Sequence, residues 1–313
     1  MNDYRFYTTL YGYTRNYHGV PYWMLTPARR IIRHFASKRL PSYFERHPAD
    51  INRKRNENVI VSLTSFPARI GFVHLTIESL LRQTVLPNHI FLWLSKEQFP
   101  SENTIPANLK DLQNDIFQIR LVDGDIRSHK KYYYAMSEYP DSIVITTDDD
   151  IIYPPNIIKT LLTTSDKYPS CIIANVARTI SYNGCYPEEY SHWRIAKALS
   201  RTNNVQIGAG CVLYPSHSLY KDCLDLELSQ RLAPTVDDLW LNAMARLQGT
   251  DVIKTTFKQA LLPVIIPKDE KLTTINVQGN RNDEQLKSIR EYYSQTELGD
   301  PYQLSNNEIG ESC

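Results

Sequence analysis

The sequence predicts an α/β fold in which a mostly parallel sheet is flanked by helices and preceded by a basic N-terminal extension rich in aromatic residues. From Val59 onward, short apolar runs typical of buried strands alternate with the apolar periodicity of amphipathic helices. Residues 1–58 differ in composition, because they carry a net charge of +7 in a 313-residue chain whose total is +1. The 42% hydrophobic content is enough for a sizeable core. We therefore expect one α/β domain at 59–313 after the extension, ending in a short tail at 291–313.

Four strands and two helices are predicted in the first half, in the order strand, helix, strand, strand, helix, strand. The strands are expected at residues 59–63, 89–95, 117–124 and 143–145. The first helix follows from the i, i+4, i+7, i+8 spacing of Val73, Ile77, Leu80 and Leu81, and the second spans residues 128–138. This order indicates a parallel sheet, and such sheets bind ligands at the carboxyl ends of their strands.

Three consecutive carboxylates, Asp148, Asp149 and Asp150, follow the fourth strand in the segment IVITTDDDIIYPP. Like charges at the edge of a sheet repel one another unless a cation lies between them. Mg²⁺ and Mn²⁺ take oxygen ligands from one or two carboxylates and fill their remaining positions with water and substrate phosphate. The segment therefore predicts a divalent-metal site, and a solvated acidic turn is the alternative.

Hydroxyl and cationic side chains follow two other predicted strands. Thr64, Ser65 and Arg69 come after the first strand and offer two hydroxyls and a guanidinium to a nucleotide. Lys130 and Lys131 open the second helix, where free backbone N–H groups already favour an anion such as a diphosphate. A Ser-capped helix with a solvated basic first turn explains these lysines equally well. The absence of GxGxxG and of GxxxxGKS/T counts against a dinucleotide-dependent oxidoreductase and a P-loop kinase.

The second half is predicted to contain a glycine-interrupted strand and a helix with an acidic start. The strand, at residues 206–215, carries Gly208 and Gly210. Glycine within a strand often marks a backbone that a ligand approaches closely, and a bulge required by packing is the alternative. The helix opens with Asp237 and Asp238. An N-cap role explains one of these aspartates better than it explains two.

The order of these motifs resembles that of the GT-A-fold glycosyltransferases, in particular bacterial enzymes of the family-2 type that build capsule, lipopolysaccharide or related surface glycans. The resemblance extends from about Val59 to about Leu286 and rests on VIVSLTSFPARI, TIESLLRQT, IFLWLS, the lysine-bearing helix and TTDDDIIYPP. It implies a Rossmann-like GT-A sheet, a nucleoside-diphosphate sugar donor with UDP favoured, and a Mn²⁺ or Mg²⁺ cofactor. Residues 59–155 would be the nucleotide-sugar-binding half and residues 156–290 the acceptor half.

The resemblance also implies roles for the site residues. Asp148 and Asp150 correspond to the outer carboxylates of a DxD motif, one reaching the donor and the other the metal, and both are taken as candidate metal ligands. Asp238 corresponds to the general base of inverting enzymes, with Asp237 as second choice or acceptor ligand. The residues expected to bind the donor are Thr64, Ser65, Arg69, Lys130, Lys131, Asp148, Asp149, Gly208 and Gly210.

Two further features have both a functional and a structural interpretation. Trp240 either stacks on a sugar face or packs in the core, and we favour the core. A polar segment after residue 275 either folds over the substrate as a lid or forms a surface loop, and we favour the loop. Its polar residues are Asn276, Gln278, Gly279, Asn280, Asn282 and Asp283.

The sequence as a whole predicts a metal-dependent, inverting hexosyltransferase that extends a lipid-carried surface glycan, such as capsule or O-antigen. A retaining transferase of the same fold and a non-catalytic sugar-binding protein are alternatives. A phosphohydrolase of the haloacid dehalogenase type is a third alternative, which the sequence disfavours because its DxDxT/V motif would require Thr or Val where Ile152 stands.

The extension is predicted to bind an anionic membrane surface, because arginines interleaved with aromatic rings suit a lipid headgroup region. RNA or a partner protein would use the same residue types, but we expect no nucleic acid, and simple packing on the domain is a further alternative. The chain has no apolar run of about 18–20 residues and no apolar signal segment. Its five cysteines show no CxxC pairing, so neither a disulfide framework nor a zinc site is indicated. We expect a cytoplasmic protein, attached peripherally to the inner face of the membrane by an extension separable from the catalytic domain.

Overall fold

The computed structural model describes residues 2–15, 22–201, 203–266 and 280–304. The helices within these ranges are α1 Asp3–Tyr13, α2 Thr26–Arg46, α3 Val73–Leu81, α4 Ala107–Lys110, α5 Lys130–Glu138, α6 Ile157–Ser165, α7 Leu226–Leu232, α8 Asp237–Gln248 and α9 Arg281–Ser294. The strands are β1 Arg55–Thr64, β2 Leu86–Ser95, β3 Phe117–Val122, β4 Ile143–Thr146, β5 Ile151–Ile152, β6 Ile172–Ala174, β7 Ala177–Thr179, β8 Tyr182–Asn183, β9 Tyr186–Pro187, β10 Arg194–Ile195, β11 Asn204–Gln206, β12 Val212–Tyr214, β13 Val252–Lys254 and β14 Leu262–Pro263.

The central sheet has seven strands in the order β13-β6-β12-β4-β1-β2-β3. Neighbouring strands are parallel except at β12, which runs antiparallel to both β4 and β6. The predicted class, a mostly parallel sheet flanked by helices, is therefore confirmed. Because β1 and β4 are adjacent and parallel, the segments that follow them meet at one edge of the sheet.

The sheet is covered on both faces, and β1 shows this residue by residue. Val59, Val61 and Leu63 pack into the cluster that also receives apolar side chains of α3 and α6. Ile60 points to the opposite face, where it packs with Ala135 of α5. This two-sided burial explains why the strand is a continuous apolar run rather than an alternating one.

The predicted single strand at 206–215 is wrong in the structure. β11 belongs to a separate three-stranded sheet with β7 and β10, whereas β12 belongs to the central sheet. A 3₁₀ turn at Gly208–Gly210 joins them, and Cys211 after it has a positive φ of 64°. The chain passes between two sheets here, which the apolar character of the segment did not reveal.

The N-terminal extension packs on the domain, which was one of the alternatives that the sequence left open. Tyr4 of α1 and Leu40 and Phe44 of α2 form one buried cluster with Ile152 and Leu262. The Tyr4 hydroxyl donates to the Tyr153 carbonyl beneath the sheet edge. Within the described ranges, no helix is both long and apolar enough to cross a membrane.

Candidate active site

A cavity of about 750 Å³ lies at the carboxyl ends of β1 and β4. This volume falls within the range of small-molecule sites. Most of the predicted site residues line it, from both halves of the sequence: Thr64, Ser65, Arg69, Lys130, Lys131, Asp148, Asp149, Asp150, Asp237 and Asp238.

Asp149, the middle carboxylate of the acidic turn, is an internal anchor. Its oxygens accept hydrogen bonds from Ser65 Oγ at 2.6 Å and from Arg69 Nη1 at 2.9 Å. Its backbone carbonyl accepts a third from Thr76 Oγ1 at 2.8 Å. Burial raises the pKa of Asp149, and the Arg69 charge opposes that shift. Ser65 and Arg69, both expected to bind the donor, therefore also hold the turn in place.

The outer carboxylates, Asp148 and Asp150, face the cavity, with side chains 32% and 30% exposed. Each lies beside a cation: Asp148 Oδ1 is 3.1 Å from Lys131 Nζ, and Asp150 Oδ2 is 3.0 Å from Arg69 Nη1. Among the described residues, no three His, Cys, Asp or Glu side chains converge on a point that a metal ion could occupy. Asp148 and Asp150 nevertheless fit Mn²⁺ or Mg²⁺, because these ions are usually held by one or two carboxylates together with phosphate. The cavity beside the two carboxylates has room for a diphosphate.

Lys131 connects the two halves of the cavity. Its Nζ lies 3.1 Å from Asp148 Oδ1 and 2.8 Å from Asp237 Oδ2. Burial lowers the pKa of Lys131, but the neighbouring carboxylates Asp148, Asp237 and Asp238 outweigh it, so the net pKa lies well above the ordinary value. Lys131 is therefore a permanent cation. Lys130 is fully buried and pairs with Asp125 instead.

Asp238 is held at the start of α8 by the backbone of Gly208, whose N–H donates to both carboxylate oxygens at 3.0 and 3.1 Å. Burial and the adjacent Asp237 raise the pKa of Asp238 to about 7, although Lys131 opposes the shift. Neither aspartate caps the helix, since Val236 occupies the N-cap position without a side-chain bond. A cavity carboxylate that titrates near neutrality is suited to accept a proton.

The two glycines of the turn differ in their surroundings. A Cβ on Gly208 would lie 3.0 Å from Lys131 Nζ and 3.2 Å from Asp238 Oδ1. A Cβ on Gly210 would lie 2.6 Å from Val176 Cγ2 and 2.7 Å from its backbone N. Gly208 thus leaves room among the charged groups of the site, whereas Gly210 is required by packing.

Sequence reasoning missed several residues that line the cavity. Arg33 comes from α2 of the extension, Gln98 follows β2, and Tyr190 lies in the loop after β9. They lie in separate parts of the chain and share no motif, so no sequence signal singled them out.

Several buried polar atoms without a hydrogen-bond partner line this cavity. Among the described lining residues they include Gln98 Oε1, Ser128 Oγ, Thr147 Oγ1 and Asn282 Oδ1. Because buried polar groups are nearly always satisfied, these atoms indicate that a polar ligand or water completes the site.

The remaining predicted residues lie elsewhere. Trp240 is fully buried in the core, with its Nε1 donating to the Cys223 carbonyl at 3.4 Å. Of the polar segment, Asn276, Gln278 and Gly279 lie outside the described residues. Asn280 precedes α9, and Asn282 and Asp283 form part of its first turn.

No protein-family model matches the chain, and no curated protein matches it. Among solved structures, a mannosyltransferase from Pyrobaculum calidifontis in complex with GDP-Man and Mn²⁺ is similar at 11% identity and a TM-score of 0.49, over 92% of this chain and 79% of that one. An apo UDP-glucose pyrophosphorylase is similar at 8% identity and a TM-score of 0.40, over 66% and 92%. A 4-diphosphocytidyl-2C-methyl-D-erythritol synthase from Anaerococcus prevotii is similar at 15% identity and a TM-score of 0.42, over 72% and 97%. Function is therefore inferred from the site itself.

Proposed function

We propose that this protein is a glycosyltransferase that moves a hexose from a nucleoside-diphosphate sugar, with UDP as the favoured nucleotide, to a hydroxyl of a growing surface glycan with inversion at the anomeric carbon. One observation carries the proposal. Lys131 contacts both Asp148, which follows a central strand, and Asp237. Asp237 is adjacent to Asp238, whose pKa of about 7 lies near neutrality. Groups suited to an anionic donor and a group suited to deprotonate a hydroxyl therefore share one cavity.

The chemistry assigned to this cavity needs a proton acceptor on one side and charge stabilisation on the other. Asp238 takes the proton of the acceptor hydroxyl as its oxygen attacks the anomeric carbon. Lys131 lies between the two groups of carboxylates and stabilises the diphosphate as it leaves. Gly208 N–H holds the Asp238 carboxylate in place, so the base is oriented before the acceptor arrives.

A divalent ion is part of the proposal, with Asp148 and Asp150 as its ligands. When bound, Mn²⁺ or Mg²⁺ would neutralise the negative charge of the donor diphosphate. These partly exposed carboxylates provide hard oxygen donors for such an ion.

The proposal is tested by nucleotide binding followed by donor turnover. Thermal-shift measurements with UDP, GDP, CMP and dTDP, each with and without Mn²⁺, should show stabilisation by one nucleotide, because a ligand of the native state raises apparent stability. The matching nucleotide sugar should then be hydrolysed slowly without acceptor. A protein that binds none of the four nucleotides in either condition would refute the assignment.

We also propose that the extension attaches the protein to the inner face of the cytoplasmic membrane, where a lipid-linked glycan would be its acceptor. Large apolar side chains are exposed along α1, α2 and the 3₁₀ turn Tyr22–Leu25 that precedes α2, namely Phe6, Leu10, Tyr13, Trp23, Met24, Ile31 and Phe35. On α2, Ile31 and Phe35 are four residues apart and so lie on one side of the helix. Exposed Arg30, Lys38 and Arg39 on the same helix supply the positive charge that anionic lipid attracts.

A further inference from the structure

Asn282 is a buried amide with an unused acceptor atom at the edge of the cavity. The residue is 5% exposed, it lines the cavity, and its Oδ1 accepts no hydrogen bond from another described residue. A buried polar atom left unpaired destabilises the folded protein. An unpaired acceptor in the cavity wall is explained if a ligand hydroxyl or N–H donates a hydrogen bond to it.

The first turn of α9, which carries Asn282, is fixed against the segment that leads into α8. Thr235 N donates to Gln285 Oε1 at 3.0 Å, and Gln285 Nε2 donates back to Thr235 Oγ1 at 2.8 Å. Asp283 Oδ1 accepts from Tyr190 N at 2.8 Å. Since Thr235 stands two residues before Asp237, these bonds place Asn282 on the same side of the cavity as the acidic pair.

Tyr190 brings a second uncharged polar group to this side. Its ring lines the cavity and lies 5.2 Å below the Arg178 guanidinium. Burial and the nearby Asp238 raise the pKa of Tyr190 to about 12, so its hydroxyl remains a neutral donor at physiological pH. An amide and a phenol are neutral hydrogen-bonding groups, and such groups suit sugar hydroxyls.

We infer that Asn282 binds a hydroxyl of the acceptor sugar and, with Tyr190, orients a neutral glycan toward Asp238. The inference rests on the proposed glycosyl transfer and adds to it the position of the acceptor subsite and the class of its ligand.

The test compares Asn282→Ala and Asn282→Leu with the exposed neighbour Glu284→Gln as matched control. Methyl glycosides of glucose, galactose, mannose and N-acetylglucosamine serve as acceptor probes with the donor identified above. Both Asn282 variants should raise the KM for the accepted glycoside about tenfold, the effect of one lost hydrogen bond. Donor affinity and acceptor-free donor hydrolysis should stay within about twofold, and Glu284→Gln should match wild type.

Deoxy analogues of the accepted glycoside identify the hydroxyl concerned. Removing that hydroxyl should raise the acceptor KM of wild type but have little further effect on the KM of Asn282→Ala, because the two changes remove the same interaction. Unchanged acceptor KM in both variants would overturn the inference, and so would a loss confined to donor affinity, which would move Asn282 to the donor site. Wild-type protein that hydrolyses donor but ignores every glycoside also counts against it. If wild type binds no donor, the proposed function itself fails.

Discussion

Asp238 has the position and the pKa that a general base needs, and both come from its burial near Gly208 and Asp237. Burial first, and then the negative charge of Asp237, raise its pKa to about 7. Between the pKa of an ordinary carboxyl and about 7, the folded protein keeps a proton that the unfolded chain has lost. Stability contributed by this group therefore falls as pH rises through that window.

Replacing Asp238 with Asn should separate catalysis from stability. We expect kcat to fall by about 10²–10⁴, because the proton acceptor is removed, with little change in donor affinity. The same variant should have a higher Tm than wild type at pH 8 and a smaller excess at pH 5, since the amide mimics the protonated carboxyl and wild type loses stability only above the pKa of an ordinary carboxyl. Activity assays and thermal melts at the two pH values check both statements.

Wild-type turnover should itself rise as pH increases through about 7, where Asp238 loses its proton. A flat wild-type profile, or a Tm difference independent of pH, would remove Asp238 from the role of base.

Asp150 should determine the metal dependence of nucleotide binding. Asp150→Asn keeps the size of the side chain but removes a charged oxygen ligand, so Mn²⁺-dependent stabilisation by UDP should be lost together with most turnover. The exposed Asp111→Asn provides the matched control and should behave as wild type. Full wild-type activity in EDTA would contradict this assignment, since no divalent ion would then be needed.

The turn between β11 and β12 shows how one short element serves both packing and the site. Gly208 lies against the charged ends of Lys131 and Asp238, while Gly210 lies against the backbone of Val176. The Asn175 side chain donates to the Gly210 carbonyl at 3.0 Å and fixes the turn from below. The two glycines are two residues apart, yet one affects charge placement and the other affects close packing.

Alanine at each glycine should therefore give a different defect. Gly210→Ala should lower the free energy of unfolding by about 1–3 kcal/mol, because the new Cβ overlaps Val176 and the backbone must move. Gly208→Ala should cost less stability but reduce turnover by about 10- to 100-fold by displacing Lys131 and Asp238. Urea unfolding and donor turnover measured on both variants distinguish the cases. Equal loss of stability in both would show that the turn has only a packing role.

At the scale of the whole molecule, the extension is part of the folded domain. Leu40 and Phe44 of α2 bury against Ile152 and Leu262, and Arg33 of the same helix lines the cavity. A chain that begins at Asn56 would expose this apolar cluster. We expect it to aggregate or melt at a lower temperature than the full chain, measured by thermal unfolding and gel filtration. A soluble truncated protein with wild-type donor affinity would instead support the separable extension that the sequence suggested.

Membrane binding by the exposed face of α1 and α2 can be tested with substitutions that do not disturb the core. The full chain should sediment with vesicles containing anionic phosphatidylglycerol at low salt and be released at high salt, since each cation contributes about 1 kcal/mol that salt screens. Ile31→Ser combined with Phe35→Ser should reduce sedimentation without changing Tm, because both side chains are more than half exposed. Ile195→Ser, a similarly exposed apolar residue outside the extension, is the control. If the double variant binds vesicles as wild type does, this face does not contact lipid.

Local patterns were sufficient for much of the fold. The predicted helix that opens with Asp237 and Asp238 is present, and Gly249, which follows its last residue, adopts the left-handed conformation at φ 75°. The acidic segment does follow β4 at the edge of the sheet. These features depend on apolar periodicity and on the conformational freedom of glycine, which residues within a few positions determine.

The sequence by itself determined the fold class, the order of the first four strands and the place of the carboxylates at a strand end. Only the tertiary structure decided that Asp149 is an anchor while its neighbours face the cavity, that Lys131 rather than Lys130 joins the acidic groups, and that Arg33 and Asn282 reach the same cavity. Adjacent residues of one type look identical in sequence. Their partners lie tens to more than a hundred positions away, so burial and charge pairing arise only when the strands and helices pack.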